Sequence, residues 1–351
     1  MNTKYIALIL IILAFAACKK TSVTPNNPIA PVTPAVKMDT DVYVSGYITA
    51  NNGKIVPVYW KNGIMTKLTD SSLNVTGGKI LINGKDVYMT GEITSASDHG
   101  VAVYWKNGVM TQLNDGSYDA YASDIAVSGN DVYVLGGTEG DHTIPVYWKN
   151  GIQHILKNGS LDTYSTSIAV KGNDVYVVGD SKTTKNNGYA ALWINDLYTP
   201  IADTIKYSSA NDVIINGNDV YVGGNISSAQ SAYWKNGVET VLQGAPAMTN
   251  MAISNNNIYV LATIGLTTSG YWENGTLNLI NGTGTYEIDA NAFAVQGSDV
   301  YIAGIETATS NQRYPVYWKN GHIVYLPTSK TSVGGLQNVV TDIAVVVYPA
   351  N

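Results

Sequence analysis

The sequence contains few of the residues on which many functional sites are built. A single cysteine excludes a disulfide framework and any site that needs two or more cysteine ligands. Charged residues make up only 13% of the chain, which is well below the usual share of roughly 25%. The net charge of −6 argues against a nucleic-acid partner, because such a partner is held by phosphate neutralisation. Hydrophobic residues at 45% exclude disorder for most of the chain, but the composition identifies no activity.

The amino terminus has the features of a secretory signal peptide over residues 1–17. Lys4 supplies a positive charge, and Ile6–Ala17 is an uninterrupted apolar run of twelve residues. As a helix this run would span about 18 Å, which is too short for a hydrocarbon core of about 30 Å. Residues 1–17 are therefore interpreted as a targeting segment and not as part of the fold.

Cys18, the only cysteine, follows the apolar run directly. The segment Phe15-Ala16-Ala17-Cys18 resembles the lipobox of bacterial lipoproteins, and the resemblance implies that Cys18 is lipidated and becomes the mature amino terminus. We expect residues 18–40 to be the lipidated cysteine and a flexible tether with a coil span of about 26 Å. By the sorting rule of enteric lipoproteins, Lys19 and Lys20 favour the outer membrane and leave the leaflet open. The alternative is an ordinary signal peptide with a stray cysteine.

From Asp41 onward the chain repeats one unit seven times. Tryptophan recurs at intervals of 38 to 46 residues. The seven tryptophans are Trp60, Trp105, Trp148, Trp193, Trp234, Trp272 and Trp318. A second marker, Asp or Asn followed by an apolar residue and Tyr, keeps the same interval. Its members are Asp41, Asp86, Asp131, Asp174, Asp219, Asn257 and Asp299. Two independent markers with one period indicate a repeat architecture.

Each unit predicts four short strands, and no helical periodicity is evident. In the third unit the strands are Ile125–Val127, Asp131–Leu135, Pro145–Trp148 and Ile152–Leu156. The third and fourth strands are joined by Asn-Gly, the dipeptide that two-residue hairpins favour because both central positions need positive φ. Asn195-Asp196 replaces this dipeptide in the fourth unit, where we expect a strained or longer turn.

Four strands in each of seven units predict an all-β, seven-bladed β-propeller with antiparallel blades over residues 41–351. The first unit begins at its second strand, with Asp41, and lacks a first strand. The chain ends in Thr341–Val347, which matches a first strand. We therefore predict that the carboxyl-terminal strand completes the amino-terminal blade and closes the ring.

The unit A-x-x-W-x-N-G-x-x-x-x-L resembles the extracellular HAF-type repeat and the YWKNG-repeat lipoproteins of Bacteroidetes-like bacteria, over Asp41–Tyr348. The resemblance implies the propeller fold but no particular activity. Signatures of several enzymes are missing, among them the sialidase Asp-box and the G-x-S-x-G nucleophile elbow. We therefore assign no catalytic residue, cofactor or metal ligand, and an enzyme is the less favoured interpretation.

The repeated residues are predicted to be structural, so function is sought where the repeats differ. The tryptophans are expected to form the core between blades, and the repeated Asp to accept hydrogen bonds from nearby backbone N–H groups. Antiparallel strands place all the short turns on one end of the disc, which we call the tight-turn face. The longer and more variable loops emerge on the opposite end, the loop face, which is the candidate binding face.

The loop face is predicted to combine tyrosine rings with carboxylates, a combination that suits sugar recognition. Tyr118, Tyr121, Tyr164, Tyr207 and Tyr286 are expected in the loops between the fourth and first strands of adjoining units. The candidate ligand-binding residues are Tyr47, Glu92, Tyr121, Asp124, Tyr164, Asp180, Tyr207, Asp212 and Asp342. The alternative is a solvated surface whose tyrosines fill gaps between blades. A metal site from Asp98-His99 and Asp141-His142 is disfavoured, because two flexible loops make a poor cage.

These patterns favour a binding or scaffold module anchored to the bacterial cell envelope by its lipid, with a glycan or protein as ligand and no nucleic-acid partner. A carbohydrate-active enzyme, either a lyase or a glycosidase, with carboxylates at the channel mouth is one alternative. A structural envelope protein without a soluble ligand is another.

Overall fold

The computed structural model describes residues 37–70, 75–140, 142–156, 163–182, 188–201, 207–228, 230–264, 269–280, 287–308, 312–328 and 338–350. These residues contain twenty-eight strands in seven four-stranded antiparallel sheets. No helix in these ranges is long and apolar enough to cross a membrane. Each sheet is one blade, and the blades are numbered from the one that holds both ends of the described chain.

The first and second strands form the inner half of each blade. From blade 1 to blade 7, the first strands are β28 (Val339–Pro349), β4 (Val75–Asn83), β8 (Ala120–Ser128), β12 (Thr163–Lys171), β16 (Ser209–Asn216), β20 (Met248–Ser254) and β24 (Glu287–Gln296). In the same order, the second strands are β1 (Met38–Thr49), β5 (Asp86–Thr94), β9 (Asp131–Thr138), β13 (Asp174–Lys182), β17 (Asp219–Ser227), β21 (Asn257–Thr263) and β25 (Asp299–Thr307).

The third and fourth strands form the outer half of each blade. The third strands are β2 (Ile55–Lys61), β6 (Gly100–Lys106), β10 (Ile144–Lys149), β14 (Gly188–Ile194), β18 (Gln230–Lys235), β22 (Ser269–Glu273) and β26 (Arg313–Lys319). The fourth strands are β3 (Ile64–Lys67), β7 (Val109–Gln112), β11 (Ile152–Ile155), β15 (Leu197–Pro200), β19 (Val238–Val241), β23 (Thr276–Ile280) and β27 (His322–Tyr325).

The seven first strands form the inner wall of the ring. Each contacts the first strand of the next blade, and the series closes because β28 contacts both β24 and β4. β28 also pairs antiparallel with β1, from Met38 opposite Pro349 to Tyr47 opposite Val339. The predicted seven-bladed propeller, closed by its carboxyl-terminal strand, is therefore confirmed.

The tryptophans form the core between blades, as predicted. All seven are buried, and none is more than 4% exposed. Trp60 of blade 1 belongs to the same buried cluster as Tyr301 and Ala303 of blade 7, and Trp148 of blade 3 to the same cluster as Tyr88 of blade 2. The third-strand tryptophan thus joins each of these blades to its neighbour, which explains why the chain keeps it in every repeat.

The exceptional turn at Asn195-Asp196 keeps the usual length. Ile194 pairs with Leu197, so only two residues form the turn. Asn195 has a φ of 49° and Asp196 a φ of 69°, the left-handed region that favours glycine. The turn is therefore strained and not longer.

A β-bulge interrupts the pairing of the first and second strands in all seven blades. At the bulge the carbonyl of the first strand approaches a glycine of the second strand. A Cβ atom at Gly136, for example, would overlap the carbonyl oxygen of Tyr121. This close approach explains the glycine that recurs in the second strand of six units, while Ala262 takes its place in blade 6.

The repeated Asp is structural, but its partners differ from the prediction. In six blades its carboxylate accepts a hydrogen bond from the side-chain amide of the turn Asn, as Asp86 does from Asn107 at 2.7 Å. In five blades it also pairs with the Lys that ends the third strand, as Asp86 does with Lys106 at 2.9 Å. These bonds hold the pKa of Asp86 below its ordinary value. The backbone N–H group is bound instead by the Asn side-chain oxygen, as Val87 is by Asn107.

Blade 6 contains the same cluster with its charges rearranged. Asn257 stands in place of the Asp and Glu273 in place of the Lys. The Asn257 amide donates to Glu273 at 3.0 Å, and the Tyr259 hydroxyl donates to the same carboxylate at 2.9 Å. The donor and acceptor have exchanged strands, so the contact is preserved.

We therefore expect Asn257→Asp to lower the free energy of unfolding by about 1 kcal/mol at pH 7, because it places two carboxylates side by side. Their repulsion raises the folded-state pKa values of the two carboxylates. The loss of stability should therefore disappear as the pH falls below about 4 and the carboxylates are protonated. Urea unfolding at pH 7 and below pH 4 measures this change in the free energy of unfolding. The control is Asn257→Asp with Glu273→Lys, which restores the pairing of the other blades and should recover the stability. A double variant no more stable than the single one would contradict this account.

Candidate functional site

Three predicted candidates, Asp124, Asp212 and Asp342, lie on the first strands directly after the bulge, in the inner wall. Each carboxylate accepts a backbone hydrogen bond from the first strand of the next blade. The donors are Ile80 N to Asp342 (3.0 Å), Ile168 N to Asp124 (2.9 Å) and Met251 N to Asp212 (3.1 Å). Each of these N–H groups lies just after the bulge of its own strand. All three carboxylates therefore accept hydrogen bonds that join neighbouring blades.

Lys79 occupies the corresponding position in blade 2 and cannot accept such a bond. The N–H group of Ile125 in the next blade is bound instead by Asp124 of its own blade, at 2.8 Å. The Lys79 ammonium lies 3.5 Å from Asp342 Oδ1. Lys79 is thus the one cation at this level of the wall, among the described residues that follow the bulges.

The charges of the inner wall influence one another. Burial raises the pKa of Asp124 to about 6 and also raises the pKa of Asp212, while the charge of Lys79 opposes both shifts. The charge of Asp342 is the main cause that raises the pKa of Lys79 above its ordinary value, with smaller contributions from Asp124 and Asp212. Lys79 therefore pairs with Asp342 and also stabilises the charged forms of Asp124 and Asp212.

Asp180 lies one level closer to the loop face and also joins two blades. Its carboxylate accepts from the N–H group of Ala210 in blade 5 at 2.9 Å. Burial raises its pKa to about 6, and this hydrogen bond opposes the shift. Asn225, at the same position of blade 5, accepts from Met248 N of blade 6 at 2.8 Å. The candidate Asp180 therefore has a structural partner.

Glu92, in contrast, has a carboxylate to which no described residue donates a hydrogen bond. It is half-buried in blade 2, and burial raises its pKa, with the charges of Glu139 and Asp119 adding to the shift. Asp119 itself accepts from Gly100 N at 2.7 Å and pairs with His99 Nδ1 at 3.1 Å. Glu92 is therefore the predicted carboxylate best placed to accept a bond from a ligand.

Tyr121 and Tyr164 lie on first strands and not in loops, so that part of the prediction is wrong. β8 and β12 extend past their bulges toward the loop face and include these residues. The Tyr121 ring lies against Gly137, where a Cβ atom would overlap it. Burial raises the pKa of Tyr121 to about 12, with Glu139 and Tyr164 contributing. Tyr121 and Tyr164 are therefore electrostatic neighbours on blades 3 and 4.

Two of the candidate rings are largely accessible. Tyr164 is 39% exposed, and the Lys182 ammonium lies 4.9 Å from its ring centre. Tyr207 is 49% exposed in the segment before β16, as predicted. With Ile226, Ser227 and Ser228 it lines a groove of about 430 Å³. We call Glu92, Tyr121, Tyr164, Lys182 and Tyr207 the loop-face patch.

The remaining predictions fall outside this patch. Tyr47 is half-buried in blade 1, on the opposite side of the ring from blades 4 and 5. Tyr118 lies in the loop before β8, as predicted. Cys18, Asp141 and Tyr286 lie outside the described residues.

Within the described ranges no group of three or more His, Cys, Asp or Glu side chains could hold a metal ion.

No protein-family model matches the chain, and no curated protein matches it. Solved structures with a similar fold include a Mycobacterium tuberculosis puromycin-hydrolyzing peptidase, with 13% identity and a TM-score of 0.58 over 86% of this chain and 55% of that one. A Pyrococcus horikoshii acylaminoacyl peptidase has 11% identity and a TM-score of 0.52 over 82% of this chain and 51% of that one. The Pseudomonas aeruginosa periplasmic gluconolactonase PpgL has 12% identity and a TM-score of 0.50 over 88% and 99%.

These likenesses show the propeller fold alone, since each identity is below 15%. The chain spans about half the length of the two peptidases. The function of this protein therefore has to be argued from its own loop face.

Proposed function

We propose that this protein is a binding module of the bacterial cell envelope, anchored through a lipidated Cys18 and engaging a glycan or protein ligand with its loop-face patch. The amino-terminal motif and the resemblance to HAF-type repeats and YWKNG-repeat lipoproteins support the anchoring. The outer membrane is the favoured location, on the evidence of Lys19 and Lys20.

The observation that carries the proposal is the pair of exposed rings, Tyr164 and Tyr207, in adjoining segments of the loop face. Tyr207 borders a groove of about 430 Å³ that also contains two serines. Tyrosine faces stack on the apolar faces of sugar rings, and carboxylate and hydroxyl oxygens accept bonds from sugar hydroxyls. Glu92 and the two serines supply such acceptors, so a glycan is the favoured ligand class.

A carbohydrate-active enzyme is supported less well. Carboxylates with raised pKa values, such as Asp124 and Asp180, are typical of catalytic acids. In this protein, however, each binds a backbone N–H group of the next blade, so a substrate would have to displace a bond that holds the ring together. Release of new reducing ends from a bound glycan would favour the enzyme.

We expect the full chain to bind a member of a glycan array of plant, microbial and mucin glycans. Tyr164→Ala with Tyr207→Ala should weaken that binding about tenfold, because each stacking contact contributes about 0.5–1.5 kcal/mol. Isothermal titration with the best glycan measures the change. Tyr348→Ala is the matched control, since Tyr348 is 37% exposed on the tight-turn face. Absence of any bound glycan, or equal affinities for both variants, would refute the glycan proposal and favour a protein ligand or a structural role.

A further inference from the structure

The tight-turn face presents an exposed aliphatic side chain in five consecutive blades. Each is the first residue of the fourth strand, directly after the two-residue turn. They are Ile64 (74% exposed), Val109 (70%), Ile152 (69%), Leu197 (73%) and Val238 (69%). Thr276 and His322 take this position in blades 6 and 7, so the hairpin itself does not require an apolar residue. These five residues are called the hairpin-tip arc.

The residues beside the arc have their charges neutralised. In four of the five hairpins the aliphatic residue stands directly opposite a Lys, as Val109 does opposite Lys106. The ammonium group of that Lys is paired with the repeated Asp of its own blade and also lies over a tyrosine ring, as Lys106 Nζ does at 5.2 Å from the centre of Tyr88. In blade 4 the opposite residue is Ile194. Single exposed aliphatic residues are common, but the same exposure at five corresponding tips requires a shared cause.

The chain enters the propeller on this same face. β1 begins at Met38, which is 50% exposed, and Asp41 three residues later bonds to Asn62 in the turn of blade 1. Residues 1–36, which include the apolar run Ile6–Ala17 and Cys18, are therefore connected at the tight-turn face. Eighteen residues separate Cys18 from Lys37. A flexible chain of that length has an end-to-end distance of about 23 Å, which would keep this face near whatever holds Cys18.

We propose that the hairpin-tip arc lies against the lipid bilayer that holds the amino-terminal segment, with the loop face turned away from the membrane. The inference rests on the proposed anchoring. Aliphatic tips beside lysines with long apolar stems suit the boundary between acyl chains and headgroups, where apolar area is removed from water. Because the arc covers blades 1 to 5, the disc should tilt so that blade 3, at its centre, lies deepest.

The test places one fluorescent label at a chosen position of the full chain and measures how deeply that label lies in the membrane. Cys18→Ser removes the natural thiol and leaves Ile6–Ala17 in place. A single cysteine then replaces Ile152 at the centre of the arc, His322 at the same position outside it, or Ile144 at the loop-face end of β10. The labelled chains are bound to phosphatidylethanolamine–phosphatidylglycerol vesicles with brominated acyl chains. We expect the label at position 152 to be quenched at least threefold more than those at 322 and 144.

A matched substitution assigns the effect to the arc. In the chain labelled at position 152, changing Ile64, Val109, Leu197 and Val238 to Ser should reduce the quenching to the level of position 322. Four results would each overturn the inference. They are equal quenching at positions 152 and 322, stronger quenching at position 144, no effect of the serine substitutions, and a chain that does not bind the vesicles. An unquenched label with sedimentation as a dimer would identify a second copy as the occupant. The glycan titration uses no vesicles, so its result is independent of this one.

Discussion

Deleting residues 338–351 is expected to abolish cooperative folding, because it removes β28 and opens the ring. β28 pairs with β1 along its length and also contacts β4 and β24. Val340 and Ile343 are 1% and 5% exposed and pack in the core cluster that contains Trp60. Without them blade 1 keeps three strands, and β1 becomes an exposed edge that can pair with other chains. We expect a loss of more than about 5 kcal/mol, which is comparable to the total stability of many domains.

Thermal unfolding followed by circular dichroism, together with size-exclusion chromatography, measures this effect. The truncated chain should lack a sharp transition and should elute as aggregates. Removal of Asn351 alone is the control and should leave the melting temperature unchanged. A truncated chain that melts cooperatively at the temperature of the intact protein would contradict the account of ring closure.

A circular permutant separates the loss of the strand from the loss of chain length. The N–H group of Ala350 donates to the carbonyl oxygen of Lys37 at 2.8 Å, so a short linker can join the two ends. New ends in the loop 95–99, between β5 and β6, would leave blade 1 continuous. This permutant should melt like the intact chain, since all twenty-eight strands remain.

The fold could be predicted because each blade uses the same residues for the same purpose. The third-strand tryptophan packs against the preceding blade and the Asn-Gly turn needs positive φ, so neither can vary freely. The first unit lacks its first strand and the chain ends in one extra first strand, and together these predict ring closure. These signals lie within one repeat or at its ends, where a single sequence reveals them.

The roles of the carboxylates could not be predicted in the same way. Asp124 binds the N–H group of Ile168, which lies 44 residues further along the chain. The Ile168 N–H group lies just after the bulge of β12, and neither that bulge nor the bond across the blades is evident from the sequence near Asp124. The sequence predicts ligand binding for Asp124, Asp212 and Asp342, whereas in the structure each also accepts a hydrogen bond from the next blade.

Two other features did leave a signal in the sequence. In five of the six units that have the repeated Asp, it precedes the Lys-Asn of its own hairpin by 16 to 20 residues. In blade 6 the change to Asn257 accompanies the change to Glu273. Such a paired exchange predicts direct contact. Lys79, likewise, is the only basic residue at its position among the seven repeats, which indicates an electrostatic role among the carboxylates.

Lys79→Met is expected to lower the free energy of unfolding by about 3 kcal/mol at pH 7.5. The substitution removes the ammonium group 3.5 Å from Asp342 and leaves three carboxylates in the inner wall without a cation. Removing one partner of a buried ion pair typically costs about 3–5 kcal/mol. The lower end applies to this pair because the Lys79 side chain is 31% exposed. Urea unfolding measures the loss, and Lys67→Met on the exposed outer strand is the control, with an expected change below about 0.5 kcal/mol.

The loss should depend on pH in a way that a simple packing defect would not. Burial already holds the folded-state pKa of Asp124 at about 6, above the unfolded value near 3.9. Without Lys79, which opposes this shift, the pKa values of Asp124 and Asp212 should rise further. The folded variant then binds protons that the unfolded chain does not, so its stability increases as the pH falls through this interval. The deficit should therefore be smaller at pH 5 than at pH 7.5, and adding Asp342→Asn should recover part of it. A deficit of the same size at both pH values would assign Lys79 to packing and refute its electrostatic role.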